Sequence, residues 1–277
     1  MSYFRASLIT VSLILVLGFL SSCSNSQKVT SGLLAPKPEN HQGGVIQVYA
    51  ARTWGAKQAV AVHTWFSVKR SGDDHYTSYE IIGWRLRRSD TALVVRTNKP
   101  DRDWWGHQPE LLLDYRAADA DELIARIEHI VEQYRYKNEY QAYPGPNSNT
   151  FTAAIGREVP ELGLDLPSTA IGKDYKTFSE MFGRSSSGSG VQASFFGLLG
   201  LTLGVEEGIE LNVLGLNFEL DLFDFAIELP GVGRIGADVV TPEADMKQHL
   251  YTVEANKDKR KSVASDNDKR QGKVTAN

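Results

Sequence analysis

Residues 143–151 read YPGPNSNTF, and the fold turns on how this stretch is taken. Pro144 and Pro146 cannot sit inside a helix, so they end a connection. Asn147, Ser148 and Asn149 have side chains that satisfy the free N–H groups of a first helical turn. A short helix is therefore expected from Ser148 or Asn149 toward Glu158, stopped by Pro160. A helix start is also where many hydrolases seat a nucleophile, so Ser148 has two readings, a cap or a reactive hydroxyl.

Upstream, residues 45–50 (VIQVYA) and 59–68 (AVAVHTWFSV) are β-rich, and the turn cluster SGDD follows at 71–74. Residues 76–87 and 91–97 continue the pattern. Four strands in about fifty residues predict an antiparallel meander. After Leu111, Leu112 and Leu113 comes a helix beyond Asp119. There Leu123, Ile124, Ile127, Ile130, Val131 and Tyr134 share one face, and Asp121 and Glu122 sit in the first turn, where the helix dipole favours them. That helix is expected to dock on the sheet.

Downstream from Gly188 the composition changes. Leu216, Phe218, Leu220 and Leu222 alternate with Asn217, Glu219 and Asp221, a period of two that predicts strands with one buried face. Repeated Gly-Leu units mark tight turns or bulges. A membrane-inserting reading competes here, and the carboxylates and the lack of basic flanks weigh against it. Beyond about residue 240 the chain is mixed-charge and almost free of large apolar residues, which reads as a disordered tail.

The N-terminus predicts a compartment. Arg5, an uncharged apolar stretch over residues 8–20 too short for a comfortable membrane span, and Leu20-Ser21-Ser22-Cys23 form a secretory signal. The last four residues resemble a bacterial lipobox, which implies cleavage before Cys23 and acyl chains on it, so that the partner is a membrane reached through lipid. Ser24, where no aspartate stands, resembles lipoproteins sorted to the outer membrane, facing the periplasm. Cys23 is the only cysteine. Once it is lipidated, neither a cysteine nucleophile nor thiolate metal ligands remain. The expected organisation is a signal peptide over 1–22, a flexible tether over 23–43, an α+β domain over 44–187, a β-rich extension of the same domain over 188–240 and a disordered tail over 241–277.

A net charge of -4 with acids and bases interleaved, and no Lys/Arg-rich face, gives no sign of nucleic-acid binding, so no nucleic-acid partner is expected. His63, His75, His107, His129, Asp73 and Asp74 are scattered without paired spacing, so no metal and no cofactor is expected.

The order of a histidine strand at His63 and a helix start at Ser148 resembles the circularly permuted papain-like fold of certain cell-wall amidases and of the lecithin retinol acyltransferase group. There a histidine on the first core strand faces a cysteine in an Asn-Cys-x-x-Phe run. Here His63, Asn147, Ser148 and Phe151 carry the likeness, over about residues 45 to 160. The segments HTWFSVK (63–69), GW (83–84), YPGPNSNTF, LPSTAIGK (166–173) and LPGVGRIG (229–236) resemble a bacterial family catalogued as domain of unknown function 3750, over about residues 45 to 236. The resemblance implies an antiparallel sheet packed by helices, permuted papain-like, with a C-terminal β-hairpin extension.

With serine at the nucleophile position, catalysis needs His63 as general base, a third group orienting it, and N–H donors at the helix start for an oxyanion. Glu80 and His75 are the candidates for the third group, and strand alternation without the register does not choose between them. Asn147, Asn149, Trp65 and Trp105 are the expected substrate contacts, with Trp104 and His107 beside them. Such a triad predicts amide or ester hydrolysis, or acyl transfer, on cell-wall peptides or lipid esters. The competing readings are a cleft that binds cell-wall peptide or glycan without chemistry, and a structural envelope lipoprotein. In either, Asn147, Ser148 and Asn149 are caps, His63 is a satisfied core histidine and the tryptophans are packing.

Overall fold

The computed structural model describes residues 34–222 and 225–236. The signal peptide, Cys23 and the tail lie outside the described residues. Residues 34–43, read as the end of a tether, lie against the domain. The Leu34 N–H donates to Asp101 Oδ2 at 3.1 Å, and Tyr76 Oη donates to the Pro36 carbonyl at 2.8 Å.

The first sheet is antiparallel and contains β1 (Val45–Arg52), β2 (Val62–Lys69), β3 (Thr77–Ile81), β4 (Leu93–Thr97) and β5 (Glu110–Tyr115), in the order β4-β3-β2-β1-β5. The meander expected over 45–97 is present, and the Leu111–113 run adds a strand on the free edge of β1. The run 76–87 ends as a strand at Ile81, and Gly83–Arg87 is a 3-10 turn. The Tyr140 ring presses on Gly83, where a Cβ would lie 2.2 Å from it, so the chain turns where only glycine lets the ring approach.

Two helices cover one face, α1 (Ala120–Gln133) and α2 (Ser148–Glu158). Alternation sorts β2. Val62, Phe66 and Val68 join Leu123, Ile124 and Ile127 of α1 and Phe151 and Ile155 of α2 in the main core. Trp65 turns the other way and packs with Tyr49, Val94 and Trp104 in a second core. Because both faces are covered, β2 is buried at every position. Each large apolar side chain buried this way contributes about 1.5–3 kcal/mol.

The second sheet is larger than the hairpin expected. Seven antiparallel strands run in sequence order: β6 (Phe182–Arg184), β7 (Val191–Phe195), β8 (Leu199–Gly204), β9 (Gly208–Val213), β10 (Leu216–Asp221), β11 (Ala226–Leu229) and β12 (Gly233–Ile235). Between β9 and β10, Leu214 and Gly215 both have positive φ, 51° and 73°, the two-residue turn that the Gly-Leu units foreshadow. The period of two is present, but the buried side is the polar one. Asn217, Glu219 and Asp221 are 0%, 2% and 7% exposed, whereas Phe218 and Leu220 are 42% and 41% exposed.

The polar face finds its partners in the loop after α2. Asn212 Nδ2 and Asn217 Nδ2 donate to Asp174 Oδ2 at 3.0 and 2.7 Å. Lys173 ion-pairs with Glu210, and its Nζ donates to the Leu166 carbonyl at 2.6 Å. Ser168 donates to Glu228 Oε1. Buried polar groups are retained where they find partners, and this loop supplies them for Asn212, Asn217, Glu210 and Glu228, while Asp221 pairs with Arg234. The whole is α+β, antiparallel sheets with two helices.

Candidate active site

The odd positions of β2 place His63 on the face away from α2, beside Trp65. His63 Nε2 lies 2.9 Å from Glu80 Oε2, and its ring stacks on Trp104 with centroids 3.8 Å apart. Glu80 is fully buried and also accepts from Arg102 Nη2 at 2.6 Å and from Arg96 Nη2. Burial alone would raise its carboxyl, but the hydrogen bond and charge of His63, then Arg102 and Arg96, bring it down to about 2. Burial lowers the His63 imidazole more than Glu80 raises it. At neutral pH the ring is therefore neutral, and the hydrogen bond from His63, together with the charges of Arg102 and Arg96, holds Glu80 ionised. An ionised carboxylate only accepts, so Nε2 carries the ring proton. Nδ1 is then a lone-pair acceptor, and it has no partner among the described residues.

Ser148 is the first residue of α2, and its neighbour caps the helix. Asn147 Oδ1 accepts from the N–H groups of Asn149 at 2.9 Å and Thr150 at 3.2 Å, and Thr150 Oγ1 accepts from the Asn147 N–H at 3.1 Å, a complete capping box. Asn147 Nδ2 donates to the carbonyls of Ala142 and Ile171. Asn149 Nδ2 donates to those of Val62 and Ile171, and its Oδ1 accepts from Thr64 Oγ1. Every polar side-chain atom of Asn147 and Asn149 thus has a partner within the chain. The Ser148 hydroxyl has none among the described residues.

A cavity of about 220 Å³ brings His63 and Ser148 to one wall system. It passes the start of β2, where the adjacent Val62 and His63 point to opposite faces and both border it. Trp54, Trp84, Trp104, Tyr140 and Tyr143 make its sides largely aromatic. His63 and Ser148 are not hydrogen-bonded to each other.

The remaining expected site residues separate. Trp65 is buried beneath His63, donates Nε1–H to the Pro100 carbonyl at 2.9 Å and carries the Arg102 guanidinium 4.6 Å over its ring. Trp105, in a turn with φ 51°, is 60% exposed and borders a second cavity of about 380 Å³ with Arg85, Arg96 and Arg102. Trp104 borders both cavities. His75 is at the surface, bonded to Asp74, which leaves Glu80 as the group behind the imidazole. The register that pairs Phe66 with Tyr79 brings Glu80 alongside. Arg96 and Arg102 were not foreseen, since nothing in their local sequence marks them as partners of a residue sixteen or twenty-two positions earlier. Among the described residues no group of three or more His, Cys, Asp or Glu is placed to hold a metal ion.

Residues 43–175 match the DUF3750 family. Its description is a protein of unknown function. The DUF3750 match spans the first sheet, both helices and the loop that carries Lys173 and Asp174. It stops before β6, so the second sheet lies beyond the DUF3750 segment, where the sequence resemblance was expected to reach residue 236. No curated protein and no solved structure matches the chain.

Proposed function

We propose that the protein is a cell-envelope lipoprotein, anchored through acyl chains on Cys23 at the periplasmic face of a membrane, the outer one on the strength of Ser24, and that its first domain is a permuted papain-like serine acyl hydrolase or acyltransferase. The observation that carries the reading is that a neutral, Glu80-bound His63 and an unbonded Ser148 hydroxyl border one cavity. Ser148 Oγ attacks the carbonyl carbon of an amide or ester while its proton passes to His63 Nδ1. The tetrahedral adduct then collapses, the amine or alcohol leaves with that proton, and water releases the acyl group from Ser148 by the same route. Glu80 keeps the ring oriented and stabilises the imidazolium. The aromatic walls suit an acyl chain, and the arginines beyond Trp104 suit a peptide carboxylate.

One observation favours a second reading, a cleft that binds cell-wall peptide or glycan without chemistry. The capping box commits the N–H groups of Asn149 and Thr150, which leaves the Ser148 N–H as the donor at the helix start for an oxyanion, where an enzyme of this class gains from two.

Labelling with a serine-directed fluorophosphonate decides between them. The hydrolase reading expects labelling of the wild type at Ser148, lost in both Ser148→Ala and His63→Ala with the fold intact. An unlabelled wild type that retains peptidoglycan fragments supports the binding cleft. For the anchor, Cys23→Ala is expected to release the protein from membranes, and unchanged retention overturns lipidation.

A further inference from the structure

The second sheet carries its polar residues inward and its apolar residues outward, and the outward face is continuous. Register sets Val191 against Leu203, Leu201 against Leu211, Leu211 against Phe218, and Leu220 against both Ile209 and Ile227. Leu201, Leu211 and Phe218 at its centre are 45%, 45% and 42% exposed, too open for core residues. Every charged residue of β7 to β10, namely Glu210, Glu219 and Asp221, turns inward. Soluble monomers rarely expose apolar patches beyond a few hundred Å².

We propose that this face docks on a lipid bilayer, lying in the plane of the interface with its side chains at the headgroup–acyl boundary. Lipid fits better than a protein partner for three reasons. First, polar-inward and apolar-outward alternation is the pattern of a sheet whose solvent is lipid. Second, protein interfaces carry roughly one hydrogen bond per 100–200 Å², and the outward side chains of β7 to β10, all apolar, supply none. Third, the Leu20–Cys23 motif ends eleven residues before Leu34, where the described structure begins. An extended chain of that length reaches at most about 40 Å, so a lipid on Cys23 would hold Leu34, and the domain it is bonded to, within that distance of the surface. This third reason rests on the lipoprotein reading, and the first two do not. The strands of β7 to β10 have at most six residues, short of the roughly nine to eleven needed to span. The face therefore rests on one leaflet.

The test uses the full chain in vesicles of phosphatidylethanolamine and phosphatidylglycerol, with an environment-sensitive dye on Leu211→Cys and, as control, on Asn138→Cys in the loop after α1. The unchanged chain labelled in parallel reports any free Cys23 thiol, and the mass of the N-terminal peptide reports acylation. The expected result is a blue-shifted emission at position 211, quenched by doxyl-labelled lipid, with position 138 unaffected. Adding Leu201→Asp and Leu220→Asp is expected to cut the quenching by about tenfold, with tryptophan emission unchanged as the check on folding. A dye at 211 that lipid quenchers do not reach overturns the proposal, as does a 211–211 disulfide between two copies when the undyed Leu211→Cys chain is oxidised in the same vesicles. Quenching at 211 in a chain whose Cys23 is unacylated upholds the docking face and overturns only the lipid anchor.

Discussion

The imidazole of His63 and the carboxylate of Glu80 meet at 2.9 Å on neighbouring strands, and Glu80 reaches no solvent. Its charge is balanced by guanidinium groups of unequal burial: the Arg102 side chain is 17% exposed and that of Arg96 41%. Glu80→Ala leaves Arg102 charged and largely buried, and is expected to cost about 3 kcal/mol or more of unfolding free energy. Arg96→Ala, at the exposed end of the network, is expected to cost under about 1 kcal/mol. Urea unfolding of the two variants checks the order, and equal losses contradict it.

Burial depresses the His63 pKa below its ordinary 6.5. The unfolded chain therefore binds a proton at this site that the folded chain refuses, in the window between the lowered value and 6.5. The stability tied to neutral His63 is present above pH 6.5 and is lost as pH falls through that window. Melting temperature measured from pH 8 downward is expected to decline below 6.5, and His63→Gln is expected to flatten the decline. If Ser148 acts through His63, the acid limb of activity follows the folded-state pKa and so lies below 6.5, at the lower edge of that window.

Asn147, not Ser148, holds the start of α2. Asn147→Ala removes the capping box and two further side-chain bonds, and is expected to cost about 2 kcal/mol. Ser148→Ala removes a hydroxyl bonded to nothing described and is expected to change stability by less than about 0.5 kcal/mol. Gly172→Ala should rank with Asn147→Ala, because φ is 99° there and a Cβ would lie 2.3 Å from Asn147 Nδ2. Denaturant midpoints for the three variants give the ranking.

Under the second sheet, neither carboxyl oxygen of Glu219 has a hydrogen-bond partner among the described residues. Burial pushes the group up to about 8 against the nearby Lys173 ammonium, with Glu228 and Glu210 adding to the rise. A raised carboxyl pKa means that the folded state holds a proton the unfolded chain gives up, so this stability is present below about 4.5 and lost as pH rises through 8. Glu219→Gln is expected to be the more stable protein at pH 9 and close to wild type at pH 5. Thermal melts at the two pH values test the sign.

The α1 face, the stop before Pro160, the four strands of residues 45–97 and a tight turn at one of the Gly-Leu units, at Leu214 and Gly215, were legible because each follows from local periodicity and backbone sterics, which act within a few residues. Gly200-Leu201, a unit of the same kind, lies inside β8. The choice of Glu80 over His75 was not legible. It depends on the offset between β2 and β3, and alternation constrains a strand's faces without fixing its neighbour. Asn147 and Ser148 were both plausible caps by residue type, and the decision came from Gly172 and the Ile171 carbonyl, more than twenty residues away, which lock Asn147 in place.

The β10 segment separates the two kinds of information most sharply. Sequence by itself determined that Asn217, Glu219 and Asp221 share one face and Phe218 and Leu220 the other, because a pleated strand turns successive side chains to opposite sides. Which face is buried was decided by tertiary structure alone. Asp174 and Lys173, carried on a loop of the first domain, present charged and hydrogen-bonding groups to the sheet, and a polar face can be buried only where such partners wait for it. The apolar face was left outward for the same reason.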